Sequence, residues 1–158
     1  MRRIQRQHIK KDTNEYFICD AICNATNSIR NECIDVVNAH YKKYNSYNVS
    51  KGNDYGLSKG CIYSTGNLFQ IFKNTDFMYR NLFCSKVTKQ VFKDVDQTFK
   101  GYRKALDAFF KSPKKFKEKP QCPKSKTDKG RYVAKFEAED ISFSLNSGYI
   151  SIGGKKFI

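Results

Sequence analysis

Apolar side chains between residues 87 and 111 recur at steps of three or four positions. Because an α-helix has about 3.6 residues per turn, this spacing collects them on one helical face. The positions are Val91, Val95, Phe99, Tyr102, Leu106 and Phe109. Lysines of the same stretch fall mainly on the opposite face. We therefore predict a long amphipathic helix, N-capped by Ser85 and ending near Lys111, with one face suited to burial and one strongly basic face.

Helical spacing also precedes this segment. The apolar positions are Ile18, Ile22, Ala25, Ile29 and Cys33. An acidic pair at positions 12 and 15 is typical of a helix start, so this helix should run from about residue 12 to between residues 37 and 41. Residues 68–72 predict a short helix, and the polar, glycine-rich residues 45–60 predict a mobile connection.

After Gly130 the apolar period changes to two, which is typical of strands. The positions are Tyr132, Ala134 and Phe136, then Ile141, Phe143 and Leu145, and then residues 149–152 after a Ser147-Gly148 turn. Three strands rarely form a self-sufficient sheet, so residues 2–10 are expected to add an edge strand.

These elements predict an α+β fold, namely a small β-barrel module with an inserted helical lobe. Its parts are the first strand at residues 1–10, the helical lobe at residues 11–111, and a basic segment with the remaining strands at residues 112–158.

The charge balance points to a polyanionic partner. Thirty basic and fifteen acidic side chains give a net charge of +15. Nucleic acid fits best, because phosphate contacts tolerate irregular lysine spacing, and an anionic membrane surface is the competing partner. No apolar run reaches the roughly 20 residues of a membrane span, and the N-terminus lacks an apolar signal core, so a cytoplasmic location is expected. Self-repulsion predicts marginal stability at low salt without a polyanion.

Basic residues are densest between residues 111 and 131, where nine basic side chains meet two acidic ones. Such a segment is suited to following a phosphate backbone, with interleaved aromatic rings available for stacking on a base or sugar. The alternative is a solvated basic loop. The candidate contacts are Lys114, Lys115, Phe116, Lys117, Lys119, Lys124, Lys126, Lys129, Arg131 and Tyr132.

No catalytic or metal site is predicted from the sequence, and no cofactor. The six cysteines include no Cys-x-x-Cys pair, so reduced thiols in a core are favoured over a zinc site or disulfides. His8 and His40 stand alone. Acidic residues such as Asp94 and Asp96 are interpreted as solvated helix faces or as partners of lysines.

Three ordered stretches resemble the N-terminal part of transposon-encoded OrfB/TnpB proteins, RNA-guided nucleases related to type V CRISPR effectors. The stretches are Ala21-Ile-Cys-Asn24 with Ser28–Asn31; Tyr79–Leu82 with Ser85–Phe92, Val95-Asp96, Phe99-Lys100 and Phe109-Phe110; and Pro120-x-x-Pro123-Lys-Ser-Lys126 with Lys129–Arg131, Phe136, Ile141 and Gly148–Ile150. Residues 79–85 are one residue longer than is usual, and Ser125 stands where the family often has tyrosine.

The resemblance implies a wedge-like β-barrel with a helical recognition lobe, and guide RNA and target DNA as partners. It places Ser85, Lys86 and Lys89 beside the target duplex. The guide-target duplex would be held by Lys93, Lys100, Arg103 and Lys104, and the guide scaffold by Arg2, Arg3, Arg6, His8, Lys10 and Lys11. The RuvC-like carboxylates of the family are absent from this chain, so no cleavage activity is expected.

Three functional hypotheses stay open at this stage. The first is the nucleic-acid-binding part of a transposon-encoded nuclease without its catalytic domain. The second is a subunit of an active nuclease completed by a second polypeptide, motivated by the end of the chain at Ile158. The third is a stand-alone DNA-binding repressor or structural RNA-binding protein. A helical bundle without a barrel around residues 132–152 would favour the third.

Overall fold

A computed structural model describes residues 8–73, 85–126, 130–137, 141–144, 149–152 and 155–157. The elements are α1 (Asn14–Tyr44), a 3₁₀ turn (Val49–Lys51), α2 (Thr65–Lys73), α3 (Ser85–Lys111), a second 3₁₀ turn (Pro113–Lys115), and strands β1 (Ile141–Ser144), β2 (Tyr149–Ile152) and β3 (Lys155–Phe157). All three predicted helices are confirmed, since each covers the apolar positions that predicted it.

Capping residues explain where α1 begins and ends. The Thr13 hydroxyl accepts a hydrogen bond from the Tyr16 amide, which satisfies a free N–H of the first turn, so the helix starts just after the acidic residue expected to begin it. At the other end Asn45 adopts a left-handed conformation, with φ 49°, and its amide donates to the Tyr41 carbonyl. The cap extends the helix one turn further than the apolar period indicated. The side chain of Ser85, the predicted cap of α3, lies outside the described residues.

The core lies between the three helices. Phe92, Val95 and Phe99 of α3 are fully buried, as the helical period predicted, against Ile34 of α1 and Leu68 of α2. Burying an aromatic side chain of this kind contributes about 3 kcal/mol relative to exposure. The core therefore fixes α1, α2 and α3 as one bundle.

The expectation of a mobile connection at residues 45–60 was wrong. Tyr47, Val49 and Leu57 are buried, and the Val49 amide donates to the Gly60 carbonyl at 3.0 Å. The Asn67 side chain of α2 donates to the Lys59 carbonyl at 3.0 Å and to that of Cys61, just after the segment, at 2.9 Å. Apolar residues can therefore hold a loop against the core even when their spacing follows neither a helical nor a strand period.

The predicted β-barrel was also wrong. The described strands form only a three-stranded antiparallel meander in the order β1-β2-β3, with Ile141 opposite Ile152 and Ile150 opposite Phe157. The expected pairing of residues 141–144 with 149–152 is confirmed, whereas β3 was not predicted. Residues 8–10 form no strand, and residues 1–7 of the expected edge strand lie outside the described part of the chain.

Residues 130–137 explain why a strand was expected where none forms. Even-numbered positions of this segment are half-buried and odd-numbered positions are exposed, so the period of two is real. Among the described residues this segment meets helices and not a strand: Tyr132 of the half-buried face contacts α1, and Lys135 of the exposed face reaches α3. We refer to residues 120–137 as the strap.

Candidate nucleic-acid interface

Two carboxamides of α1 hold the first half of the strap. The Asn31 side chain donates to the Lys126 carbonyl at 3.0 Å and accepts from the Lys126 amide at 2.9 Å, as a neighbouring strand would. The Asn38 amide donates to the Pro123 carbonyl at 2.9 Å. The Tyr132 amide then donates to the Cys23 carbonyl at 3.2 Å. The strap therefore runs antiparallel to α1.

The ring of Tyr132 has cations beside it. The Arg30 guanidinium lies 4.9 Å from the ring centroid and the Lys126 ammonium 5.3 Å from it. Arg30 is itself buried, with Nε and one terminal nitrogen lacking a hydrogen-bond partner among the described residues. The predicted stacking residue thus covers a buried cation, which favours a structural role for this ring.

Two basic residues of the strap are neutralised by acids on the helices. Arg131 pairs with Asp20 and donates to the Tyr16 hydroxyl at 2.6 Å, and that hydrogen bond, together with the Asp20 charge, raises the pKa of Arg131. Lys135 lies 2.7 Å from a carboxylate oxygen of Asp94, whose hydrogen bond raises the Lys135 pKa. These cations hold the strap against α1 and α3.

The basic face of α3 is partly neutralised as well. Lys93 lies 3.5 Å from a carboxylate oxygen of Glu137 in the strap, and Lys100 lies 3.0 Å from Asp96, one turn earlier. The interpretation of Asp94 and Asp96 as partners of lysines is therefore confirmed. Of the predicted duplex contacts near the helix start, Lys89 lies 5.9 Å from the Phe69 ring centroid, and Lys86 is half-buried with an interaction of its own.

A different arrangement follows the last turn of α3. We call residues 109–119 the basic tip. Phe109 lies edge-to-face with Phe110 and with Phe116, at centroid distances of 5.7 and 5.8 Å, and the Lys119 ammonium lies 5.6 Å from the Phe110 centroid. The predicted stacking residue Phe116 is half-buried in this cluster, while Phe110 is 66% exposed.

Lysines of the basic tip project from this aromatic cluster. All are exposed, and no acidic side chain within the described ranges lies at ion-pair distance from any of them. They are Lys111, Lys114, Lys115, Lys117 and Lys119. A cluster of unpaired cations beside an exposed aromatic ring combines the two features that bind single-stranded nucleic acid.

Phe110 was not among the predicted contacts. It follows Phe109 directly, so the helical period places it beside the buried face and not on it. Two adjacent phenylalanines at the end of an amphipathic helix cannot both face the core, and this conflict was the available signal.

Arg103 is exposed, but its guanidinium contacts two side chains of the segment before α2. Its guanidinium donates to the Tyr63 hydroxyl at 3.3 Å and contacts Cys61 Sγ at 3.8 Å, and the bond to Tyr63 raises the Arg103 pKa. A groove of about 330 Å³ opens beside it, between the end of α1 and the last turns of α3. Tyr41, Asp107 and Phe110 also line it. The structure thus brings Arg103 and the basic tip to one end of the bundle.

The remaining predicted contacts are more scattered. Lys104 and Lys124 are exposed, without an acidic partner in the part of the chain that the structure describes. His8, Lys10 and Lys11 are exposed. Those outside the description are Arg2, Arg3, Arg6, Lys129 and the side chain of Ser85.

The described cysteines differ in burial, and only Cys33 among them has the fully buried core position that was expected. Cys33 is fully buried in the core, and burial raises its pKa. Cys19, Cys23, Cys61 and Cys122 are free thiols. In the described ranges, no three His, Cys, Asp or Glu side chains are grouped closely enough to hold a metal ion, and no helix there has the length and apolar character needed to cross a membrane.

Comparisons with known proteins add no relative to this picture: no protein-family model, curated protein or solved structure matches the chain significantly. The likeness to OrfB/TnpB proteins stays a prediction from the sequence. The geometry of the basic tip and its neighbouring groove is what bears on function.

Proposed function

We propose that this chain is a nucleic-acid-binding protein of the cytoplasm, without catalytic activity of its own, that holds single-stranded RNA at the basic tip. The observation that carries the proposal is the group of exposed lysines around Phe110, unpaired within the described residues. Phosphates would neutralise these lysines with release of counterions, and a base would stack on the exposed ring. A stacked base of this kind contributes about 1–3 kcal/mol.

A single strand is a better ligand than a duplex for this surface. A helix that reads a major groove presents an exposed row of side chains near its N-terminal end. At the start of α3, Lys86 is half-buried and Lys89 lies against the Phe69 ring. Further along the helix Lys93 and Lys100 are paired with acids, and the strap contacts α3 through Lys135. The unpaired cations lie instead on a 3₁₀ turn and its flanks, which suits a flexible backbone.

The helical bundle without a barrel favours a stand-alone binding protein over the recognition part of a guided nuclease. That nuclease part is the second candidate, acting alone or with a second polypeptide that carries the catalytic domain. One observation supports it: large parts of the three stretches that resemble the family fall on α1, α3 and the strap, and the strap contacts both helices. Binding of a transposon-derived scaffold RNA at least 100-fold tighter than that of an unrelated RNA of equal length would favour this second candidate.

Fluorescence anisotropy with labelled 20-nucleotide RNA, single-stranded DNA and duplex DNA tests the proposal. We expect single strands to bind more tightly than the duplex, with affinity falling steeply between 50 and 200 mM salt. Anionic lipid vesicles serve as the competing polyanion. Absence of RNA binding at 50 mM salt, or RNA binding that vesicles displace completely, would overturn the proposal.

A pair of charge-matched variants locates the surface. Lys114→Glu/Lys115→Glu/Lys117→Glu should lower RNA affinity on the order of 100-fold at 100 mM salt, since three phosphate contacts become repulsive. The control reverses three exposed lysines elsewhere, at Lys51, Lys59 and Lys73. Its expected loss is below about fivefold, because only the long-range charge changes. Equal losses in both variants would indicate that net charge alone, and not the basic tip, governs binding.

A further inference from the structure

The groove beside Arg103 is lined by two exposed aromatic residues and by polar side chains. Its volume of about 330 Å³ lies at the small end of the roughly 300–1,000 Å³ that ligand pockets occupy. Tyr41 and Phe110 line it and are 40% and 66% exposed, so both present ring surface to the solvent. Tyr41 is stacked on Tyr47 with 4.4 Å between ring centroids, which fixes the orientation of this wall before any ligand arrives.

The polar side chains of the groove are complementary to a nucleobase edge. Arg103 supplies only donors, and its guanidinium is positioned by Tyr63. Asp107 lies one turn further along α3, also lines the groove, and supplies only acceptors when ionised. The Asp107 carboxylate also makes this point of a basic surface unfavourable for a phosphate, so the groove selects a neutral ring while lysines outside it hold the backbone.

Guanine is the base that matches a carboxylate and a guanidinium together. Its Watson–Crick edge presents two adjacent donors, N1–H and the N2 amino group, next to the O6 acceptor. A carboxylate accepts from both donors with its two oxygens, and an arginine donates to O6. Adenine, cytosine and uracil each lack two adjacent donors on that edge.

We propose that the groove lined by Tyr41, Arg103, Asp107 and Phe110 binds an unpaired guanine of the RNA held by the basic tip. This inference rests on the proposed function, because Phe110 belongs both to the tip and to the groove. The base enters the groove, while Lys104 and Lys111, which flank Asp107 on α3, reach the phosphates on either side of it.

Anisotropy with uridine decamers that differ at one central position tests the assignment. A decamer with one guanosine should bind at least about fivefold more tightly than one with adenosine, the factor expected for a bidentate base contact. Inosine, which lacks the N2 amino group, should lose most of that gain. Tight and equal binding of all decamers would overturn the guanine pocket while leaving RNA binding intact, whereas no binding of any decamer at 50 mM salt would overturn the proposed function itself.

Asp107→Asn with an Asp12→Asn control separates base recognition from charge. Both variants remove one negative charge from an exposed position, so both should slightly strengthen binding of the adenosine decamer. Only Asp107→Asn should reduce the ratio of the affinity for the guanosine decamer to that for the adenosine decamer to below about twofold. Phe110→Ala, at an exposed position, should weaken binding of the guanosine decamer about tenfold. An unchanged affinity ratio in Asp107→Asn would rule out this carboxylate as the group that recognises guanine.

Discussion

The strap and the basic tip have nearly the same charge, but they differ in whether acidic side chains of the helices pair with their cations. Each contains five basic residues, in 18 positions for the strap and 11 for the tip. In the strap, Arg131 and Lys135 face Asp20 and Asp94 of the helices beneath them. In the tip, no lysine has an acidic partner among the described residues. Whether a lysine-rich segment is held against the fold therefore depends on the acids on the surface beneath it.

Loss of the Asn31 contact to the strap should have the largest effect on stability. Asn31 is 6% exposed, and its carboxamide makes both hydrogen bonds to the Lys126 backbone. Asn31→Ala leaves the partly buried Lys126 amide and carbonyl without this partner and should lower the free energy of unfolding by about 2–3 kcal/mol. Urea denaturation followed by far-UV circular dichroism measures this loss.

The matched control is Asn14→Ala, at an exposed position on the same helix. Its expected effect stays within about 0.5 kcal/mol. If Asn31→Ala were as mild as this control, the strap would not depend on the Asn31 contact for its place on α1.

Removal of the Tyr132 ring should lower the free energy of unfolding by less than loss of the Asn31 contact does. Tyr132→Leu keeps apolar bulk over Arg30 but removes the π face, and we expect a loss of about 1 kcal/mol. Tyr132→Phe keeps the face and should stay within about 0.5 kcal/mol. The leucine variant should leave RNA affinity within about twofold of the parent. A tenfold drop would restore the sequence-based interpretation of this ring as a base-stacking residue.

Periodicity located the helices because burial of one face is the main determinant of where a helix packs. Val91, Val95 and Phe99 repeat often enough to specify both the helix and its buried side. The strap has an equally clear period of two. A period of two indicates only that alternate residues contact a surface. It does not distinguish a neighbouring strand from a pair of helices. The predicted barrel failed for this reason.

The candidate site was only partly predictable for a related reason. Lysine density in the sequence is similar around Lys114 and Arg131, but the partner of Arg131 is Asp20, more than a hundred residues earlier. Phe110 belongs to the basic tip and Asp107 lies just before it in sequence, yet the groove that joins them to Tyr41 exists only once α1 and α3 have packed. Long-range proximity of this kind follows from tertiary packing, which composition does not contain.

The ion pair between Lys135 and Asp94 should contribute modestly. Lys135 is largely exposed, so water and salt screen its attraction to the carboxylate, and a double-mutant cycle with Lys135→Gln and Asp94→Asn should give a coupling of about 0.2–1 kcal/mol. Repeating the cycle in 1 M salt should reduce the coupling by more than half. A coupling that salt leaves unchanged would identify the contact as a hydrogen bond held by packing and not a screened charge pair.

Neutralising the basic tip should change stability least of all. In Lys114→Gln/Lys115→Gln/Lys117→Gln, no described ion pair is lost and three repelling charges disappear, so the free energy of unfolding should stay within about 0.5 kcal/mol, rising slightly at low salt. RNA affinity of the same variant should fall on the order of tenfold or more.

A strap variant such as Asn31→Ala should give the reverse result, measured at a temperature where it remains folded. If instead the tip variant loses stability, its lysines contact the fold in a way that the described residues do not account for, and the two segments do not divide structure from binding. If the tip variant loses RNA affinity alone and the strap variant loses stability alone, basic residues contribute to folding only where an acidic side chain pairs with them. The unpaired lysines then mark the surface that binds a polyanion.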